Sequence, residues 1–495
     1  MAPPSSLVLI TVDCLRADHV GFLGYHRPTT PFLDSLAAES FVFSNAIVAG
    51  SPTYYSFPAI MASRYPLSMG RDVIGLTPGE ATLASVLSDF GYATAGFLAG
   101  NPYLSHRFGY HAGFETFEDF LGADNGALNG LPQSAELRTR SLWNLRLGQA
   151  CHRLGSMGSV YDELYFQYSL RLAPPAASFE TLRRFPAADV LVDRAMHWLA
   201  SLGGRPFFLW LHFMDPHAPY YPVQQALEEM QDGGIDPEEA RYLNSYWNRG
   251  DVNANQLSRH REGIIALYDA GIRWVDTQIS RLVRELRSFR AWDNCLLALT
   301  ADHGEEFLDH NGRYHAPNKL TEELVRVPLL VRVPGVAKGQ RLEAPFSLLH
   351  TAPTLLDALN LPIPSDFKGR SHWTDLLNRD AWDGEALVEC VRGCSNPFRK
   401  ETRLGARLLV VREARFKLVL DFANSSCELF DLQADPGERC PLPLDAEKPI
   451  RRRLLEKARR HVSESNQDRD LDHVLAARLR DLQLECSESS IKICA

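Results

Sequence analysis

The stretch Ser51-Pro52-Thr53-Tyr54-Tyr55-Ser56 sets aliphatic hydroxyls where a strand-rich segment gives way to a helix. A hydroxyl is a weak nucleophile at neutral pH, and a neighbouring divalent ion makes it a strong one. The acids and imidazoles that could serve it lie far away in the chain, at Asp13, His217, Asp302, His303 and His315. Most of them sit just after an apolar run, and strands of a parallel sheet deliver such residues to one edge. Asp13, Asp302, His303 and a hydroxyl form a ligand set of mixed oxygen and nitrogen type. That set suits one divalent ion: imidazole favours zinc or manganese, and calcium or magnesium are compatible. Thr53 is expected to be the ion-bound nucleophile, with Ser51 and Ser56 as attackers if the register shifts. His217 and His315 would bind the non-bridging oxygens of an anion or protonate a leaving group. Arg313 and Lys319 would add fixed positive charge.

The elements that must position these residues are legible in outline. Residues 7–12, 92–98, 206–214, 295–300 and 327–333 are continuous apolar runs, the pattern of strands covered on both faces. Residues 31–40, 82–90, 187–202 and 262–286 show helical spacing, the last with Ile264, Leu267, Ile272, Val275, Ile279 and Leu282 on one stripe and Arg273, Asp276 and Arg281 off it. Two prolines around His217 stop the strand before it and leave it on a stiff loop. Strands alternating with helices imply an α/β fold, a doubly wound and mainly parallel sheet flanked by helices. Residues 109–186 read as an insertion that shapes a pocket, and residues 223–261 as a polar lid or surface excursion. From about residue 370 the texture changes to alternating short strands at 406–412, 416–421 and 427–431, followed by an amphipathic helix at 446–462. The expected division is a catalytic domain over 1–368 and a smaller antiparallel α+β subdomain over 369–495.

Composition narrows the classes. The chain has 495 residues, 45% of them hydrophobic, and a net charge of -9. An acidic balance argues against a general nucleic-acid binder, yet it permits an anionic substrate beside a metal ion. The nine cysteines show no compact disulfide spacing and read as mostly free and buried, which suits a reducing compartment. The six-residue apolar run near the start is too short for a signal peptide or a membrane span. A cytoplasmic protein is expected.

Several motifs together resemble the sulfatase family of the alkaline phosphatase superfamily. They are Val12-Asp13-Cys14-Leu15-Arg16, Tyr268-Asp269-Ala270-Gly271-Ile272, Thr300-Ala301-Asp302-His303-Gly304-Glu305-Glu306, Arg326-Val327-Pro328-Leu329-Leu330 and Glu428-Leu429-Phe430-Asp431-Leu432. They occur in the family's order over about residues 5 to 440. The family signature C-x-P-S-R-x4-T-G is commonly followed by R-Y-P. Anchored on Arg64-Tyr65-Pro66, it puts Ser63 at the glycine, Ala62 at the threonine, Ser56 at the serine and Thr53 at the cysteine. Tyr55 replaces the proline and Phe57 the arginine. The cysteine that becomes formylglycine in sulfatases is therefore absent, and Cys14 stands where many sulfatases carry a second aspartate. A threonine at the nucleophile position resembles phosphoethanolamine transferases and related phosphoesterases.

The resemblance implies metal ligation by Asp13, Thr53, Asp302 and His303. It gives His217, in its Pro-His-Ala-Pro stretch, an anion contact, and gives His315 or Lys319 the remaining cationic place. The expected activity is metal-dependent hydrolysis or transfer of phosphate or phosphonate esters through Thr53. Two alternatives stand beside it: a sulfuric ester hydrolase with an unusual nucleophile, and a catalytically silent member that binds an anion or a partner.

Overall fold

The computed structural model describes residues 5–71, 73–121, 151, 153, 157–173, 176–335, 339–380, 382 and 384–465. The tail from residue 466 lies outside them, as do most of residues 122–156, which belong to the expected insertion.

A nine-stranded sheet frames the site. Its strands run in the spatial order Gln340–Leu342, Ser40–Ile47, Arg326–Arg332, Cys295–Ala301, Ser6–Val12, Phe207–Phe213, Ala93–Leu98 and Thr116–Glu118, with Phe346–Ser347 beside Ser40–Ile47. Arg326–Arg332 is antiparallel to both neighbours, and the other pairings are parallel. The three central strands are buried at every residue, as their unbroken apolar runs require. Val12 pairs with Ala301 on one side and Phe213 on the other. Asp13 and Asp302 therefore leave the sheet at the same level.

The helix Arg261–Ser288 packs on this sheet. A Cβ on Gly271 would meet the Asp215 carbonyl at 2.6 Å, so glycine lets the helix close on the turn that carries His217. From the same helix, the Tyr268 hydroxyl donates to the Cys14 carbonyl at 2.7 Å and accepts from the Arg16 amide at 2.9 Å. Asp276, expected off the apolar stripe, is buried and accepts from the Phe32 and Leu33 amides at 2.9 and 2.8 Å. It thereby caps the helix Pro31–Ala37.

Residues 223–261 are not a polar excursion. They form the helices Gln224–Glu229, Pro237–Trp247 and Ala254–Leu257, and Leu227, Leu243 and Trp247 are buried. Their apolar residues are few but share one face. The start of the expected insertion also belongs to the frame, because Thr116–Glu118 extends the sheet edge.

The antiparallel C-terminal sheet is present, with Glu385–Val391 as an added strand beside Arg407–Glu413, Phe416–Asp421 and Ser426–Asp431. One face, with Leu409, Val411, Leu418 and Leu420, packs on Leu454, Leu455 and Val462 of the helix Lys448–Glu464. The other face, with Val388, Cys390 and Val410, joins the main core. The C-terminal unit is thus built into the larger core. Cys14, Cys295, Cys390 and Cys394 are free and buried, Cys151 is half-buried and Cys440 exposed. No described helix is long and apolar enough to cross a membrane.

Candidate active site

Asp13 is wholly buried at the end of Ser6–Val12. Its Oδ2 accepts from Asn101 Nδ2 at 2.8 Å and lies 3.4 Å from His212 Nε2. Burial pushes its carboxyl up, but the imidazoles of His217, His212 and His303 outweigh that and hold it well below the ordinary value. Asp302 and His303 follow Cys295–Ala301 and are also wholly buried. Burial and the nearby Asp13 charge raise the Asp302 carboxyl, against the opposing pull of His303, His212 and Thr53.

His303 is oriented for ligation. Its Nδ1–H donates to the Gly304 carbonyl at 2.8 Å, which leaves the Nε2 lone pair facing inward. That nitrogen is 3.1 Å from Thr53 Oγ1, 3.6 Å from Asp13 Oδ1 and 3.6 Å from Asp302 Oδ2. Gly304 is needed here because a Cβ would meet the Glu323 carbonyl at 1.9 Å. Asp302 Oδ2 is buried with no hydrogen-bond partner. An orphaned carboxylate oxygen is costly unless a cation satisfies it. The four donors expected from sequence are together, and they suit a divalent ion of borderline character.

Thr53 opens the helix Thr53–Ala62, whose ten residues are all buried. The positive end of that helix therefore faces the cluster. At its other end Ser63 has φ 47°, the left-handed conformation that glycine favours. This supports the register that sets Ser63 at the signature glycine and Thr53 at the cysteine. Among the described residues, neither Ser51 nor Ser56 makes a hydrogen bond to the cluster's acids or imidazoles, and Ser56 Oγ has no partner. Phe57, in place of the signature arginine, is wholly buried against the rings of Trp210 and His212.

His315 joins the cluster from outside. Its Nδ1 is 2.9 Å from Glu305 Oε2 and 3.4 Å from Cys14 Sγ, and its ring centroid is 4.4 Å from that of His303. The His217 ring is 5.1 Å from the His315 ring, and its Nδ1–H donates to the Ala218 carbonyl at 2.5 Å. Both imidazoles are half-buried, so they face the mouth of the site.

The two expected cations are engaged elsewhere. Lys319 Nζ donates to Glu306 Oε1 and Oε2 at 2.6 and 2.8 Å and to the His310 carbonyl at 2.8 Å, which uses its three protons. Arg313 donates to the Trp247 carbonyl. Among the described residues neither forms an ion pair with the cluster. Sequence reading missed Asn101, His212 and Glu305. Glu305 follows the Asp302-His303-Gly304 motif directly, while Asn101 and His212 carried no signal of their own.

An α/β sheet with acids, imidazoles and a hydroxyl gathered at the carboxyl ends of its central strands defines the class. The chain belongs to the sulfatase family: the Sulfatase family model matches residues 5–361, and the model for the N-sulphoglucosamine sulphohydrolase C-terminal region matches residues 313–463. It is 25% identical over 424 residues to an arylsulfatase of Clostridium perfringens, covering 77% of this chain and 82% of that protein. It is 26% identical over 483 residues to a multifunctional alkaline phosphatase superfamily protein of Trinickia caryophylli, covering 88% and 90%. In fold it is similar to the phosphonate monoester hydrolase of Agrobacterium radiobacter, with a TM-score of 0.65, 20% identity and coverage of 94% and 96%.

Proposed function

We propose that this protein is a metal-dependent hydrolase or transferase of phosphate and phosphonate esters that works through Thr53. The observation that carries the reading is the Thr53 hydroxyl 3.1 Å from His303 Nε2, at the amino end of a buried helix and in the register of the signature nucleophile. A divalent ion held by Asp13, Thr53, Asp302 and His303 would supply the positive charge that acidifies this hydroxyl. Asn101 holds the Asp13 carboxylate in place, with His212 Nε2 3.4 Å away, and the Gly304 carbonyl fixes the His303 tautomer. Thr53 Oγ1 forms a bond to phosphorus as the bond to the ester oxygen breaks. The helix amino end offsets charge on the bound anion. His217 and His315 face the leaving oxygen. A water or an acceptor alcohol then replaces Thr53 on phosphorus, and the threonine regains its proton.

The names of the curated relatives favour sulfuric ester hydrolysis as a second reading. A panel of aryl phosphate, phosphodiester, phosphonate monoester and aryl sulfate substrates separates the two. Cleavage of diester or phosphonate is the expected result, and cleavage of sulfate alone would select the second reading. A silent, binding-only protein would have no use for a buried Asp302 oxygen without a partner.

A further inference from the structure

A cavity of about 310 Å³ lies beside the two imidazoles at the mouth of the site. Three of the segments that wall it also serve the site. Ala218 and Pro219 directly follow His217, and Tyr314 directly precedes His315. Arg184 precedes Phe185, whose ring centroid is 5.5 Å from that of His217. Successive residues are only about 3.8 Å apart along the chain. An ester held between His217 and His315 therefore has this cavity within reach of its alcohol part. The fourth wall is the end of the helix Pro237–Trp247, with Ser245 and the following Asn248.

Buried contacts fix the cavity's shape. Asn244 Oδ1 accepts the Tyr220 amide at 2.7 Å, and Asn244 Nδ2 donates to the Tyr220 carbonyl at 2.9 Å. Asn244 thus locks the loop after His217 onto the helix. Arg183 Nε donates to the Tyr221 carbonyl at 3.2 Å and pins the Arg184 segment on the same loop. The remaining polar groups of the wall are not spent on the protein. Among the described residues, the hydroxyls of Tyr221, Tyr314 and Ser245 and the side-chain amide of Asn248 make no hydrogen bond. Arg184 forms neither a hydrogen bond nor an ion pair among them. It is the one charged residue among the described residues that line the cavity. Lys319 and Arg313 are engaged elsewhere, whereas Arg184 keeps its charge for a ligand.

We infer that this cavity receives the alcohol part of the ester and that Arg184 pairs there with a carboxylate on it. The inference rests on the Thr53 reading and names its substrate class, esters of small hydroxylated acids. The volume is at the low end of the roughly 300–1,000 Å³ of ligand sites, so one small group fits. Arginine presents a planar fork that matches a carboxylate bidentately. One cation balances one negative charge, which suits a carboxylate better than a doubly charged phosphate. Phenol, hydroxyl and amide groups around it can donate to and accept from the hydroxyls of such an alcohol. Leu182 and Pro219 give its carbon frame apolar contact.

The test compares two phenylphosphonate monoesters on the full-length, metal-replete protein, one of glycerol and one of glycerate, each joined through a terminal hydroxyl. They differ by one carboxylate, and p-nitrophenyl phenylphosphonate serves as the reference. The glycerate ester is expected to have the higher kcat/KM by at least about fivefold, the scale of a charge-assisted pair at a partly screened site. Arg184→Gln should bring that ratio close to one, through KM for the glycerate ester. Arg184→Lys should keep part of the preference, and Arg184→Glu should reverse it. A purely structural role for Arg184 would lower both esters alike, and that result would overturn the inference. So would a wild-type protein that prefers the glycerol ester, or one that cleaves the reference and neither glycerol nor glycerate ester. Each of these leaves the Thr53 reading standing. A protein that cleaves none of the three would remove both.

Discussion

Lys319 and Glu306 form an ion pair, with Nζ at 2.6 and 2.8 Å from the two carboxylate oxygens. Glu306 also accepts the amides of His310 and Gly312 at 2.9 and 2.8 Å. The lysine thus ties together the loop that follows Asp302 and His303. Lys319→Met would leave a nearly buried carboxylate without its counter-charge. The expected loss is about 2–3 kcal/mol in a denaturant titration, with KM close to wild type. A stability change under about 0.5 kcal/mol joined to a large rise in KM would return Lys319 to the anion site.

Asp302 Oδ2 has no hydrogen-bond partner, and the neighbouring Asp13 charge raises the carboxyl. Asp302→Asn removes this repulsion along with a ligand. The metal-to-protein ratio should fall, while the metal-free variant melts at or above metal-free wild type. An unchanged ratio would take Asp302 out of the ligand set.

Asn101 donates to Asp13 Oδ2 at 2.8 Å and through its own carbonyl accepts the Tyr103 amide at 3.0 Å. It orients a ligand without being one. Asn101→Ala should weaken metal binding by roughly 10- to 100-fold in chelator competition and leave the fold intact. Unaltered affinity would show that His212 alone fixes Asp13.

The C-terminal unit carries its own pH signature. Glu389 is wholly buried, bonded to His461 Nε2 at 3.0 Å and to the Leu67 amide at 3.1 Å. Burial raises its carboxyl, but His461 and Arg407 outweigh that and bring it down to about 2. A carboxyl lowered by folding stabilises above its unfolded value and loses that contribution as pH falls toward the folded one. Stability should decline between about pH 5 and pH 2, by on the order of 2–3 kcal/mol from this group. Glu389→Gln should flatten that part of the curve at the cost of stability at pH 7. An unchanged acid limb would exclude Glu389 as its source.

Much of this site was legible because strand ends are legible. Asp13 and the Asp302-His303 pair follow unbroken apolar runs, and parallel strands in register can only bring such residues to one edge. Thr53 was singled out by counting from Arg64-Tyr65-Pro66, and its hydroxyl lies 3.1 Å from His303 Nε2. Lys319 and Arg313 point elsewhere in this structure, to Glu306 and to the Trp247 carbonyl, because long cationic side chains reach whichever acceptor is nearest in space. His212 sits inside an apolar strand and reads as core. Asn101 reads as a turn residue. The helices in residues 224–257 escaped notice because a few buried residues, Trp247 among them, anchor mostly polar segments. Asp276 was set off the apolar stripe, whereas the orphan amides of a neighbouring helix draw it inward.

The most direct measurement is mass analysis of the Thr53 peptide after acid quench during turnover of an aryl phosphonate or phosphate ester. A phosphonyl or phosphoryl adduct on Thr53 is expected. Thr53→Ala should lose both the adduct and on the order of 10³-fold or more in kcat, with its far-ultraviolet circular dichroism unchanged. Full turnover by Thr53→Ala, or an adduct on Ser51 or Ser56, would contradict Thr53 as the nucleophile.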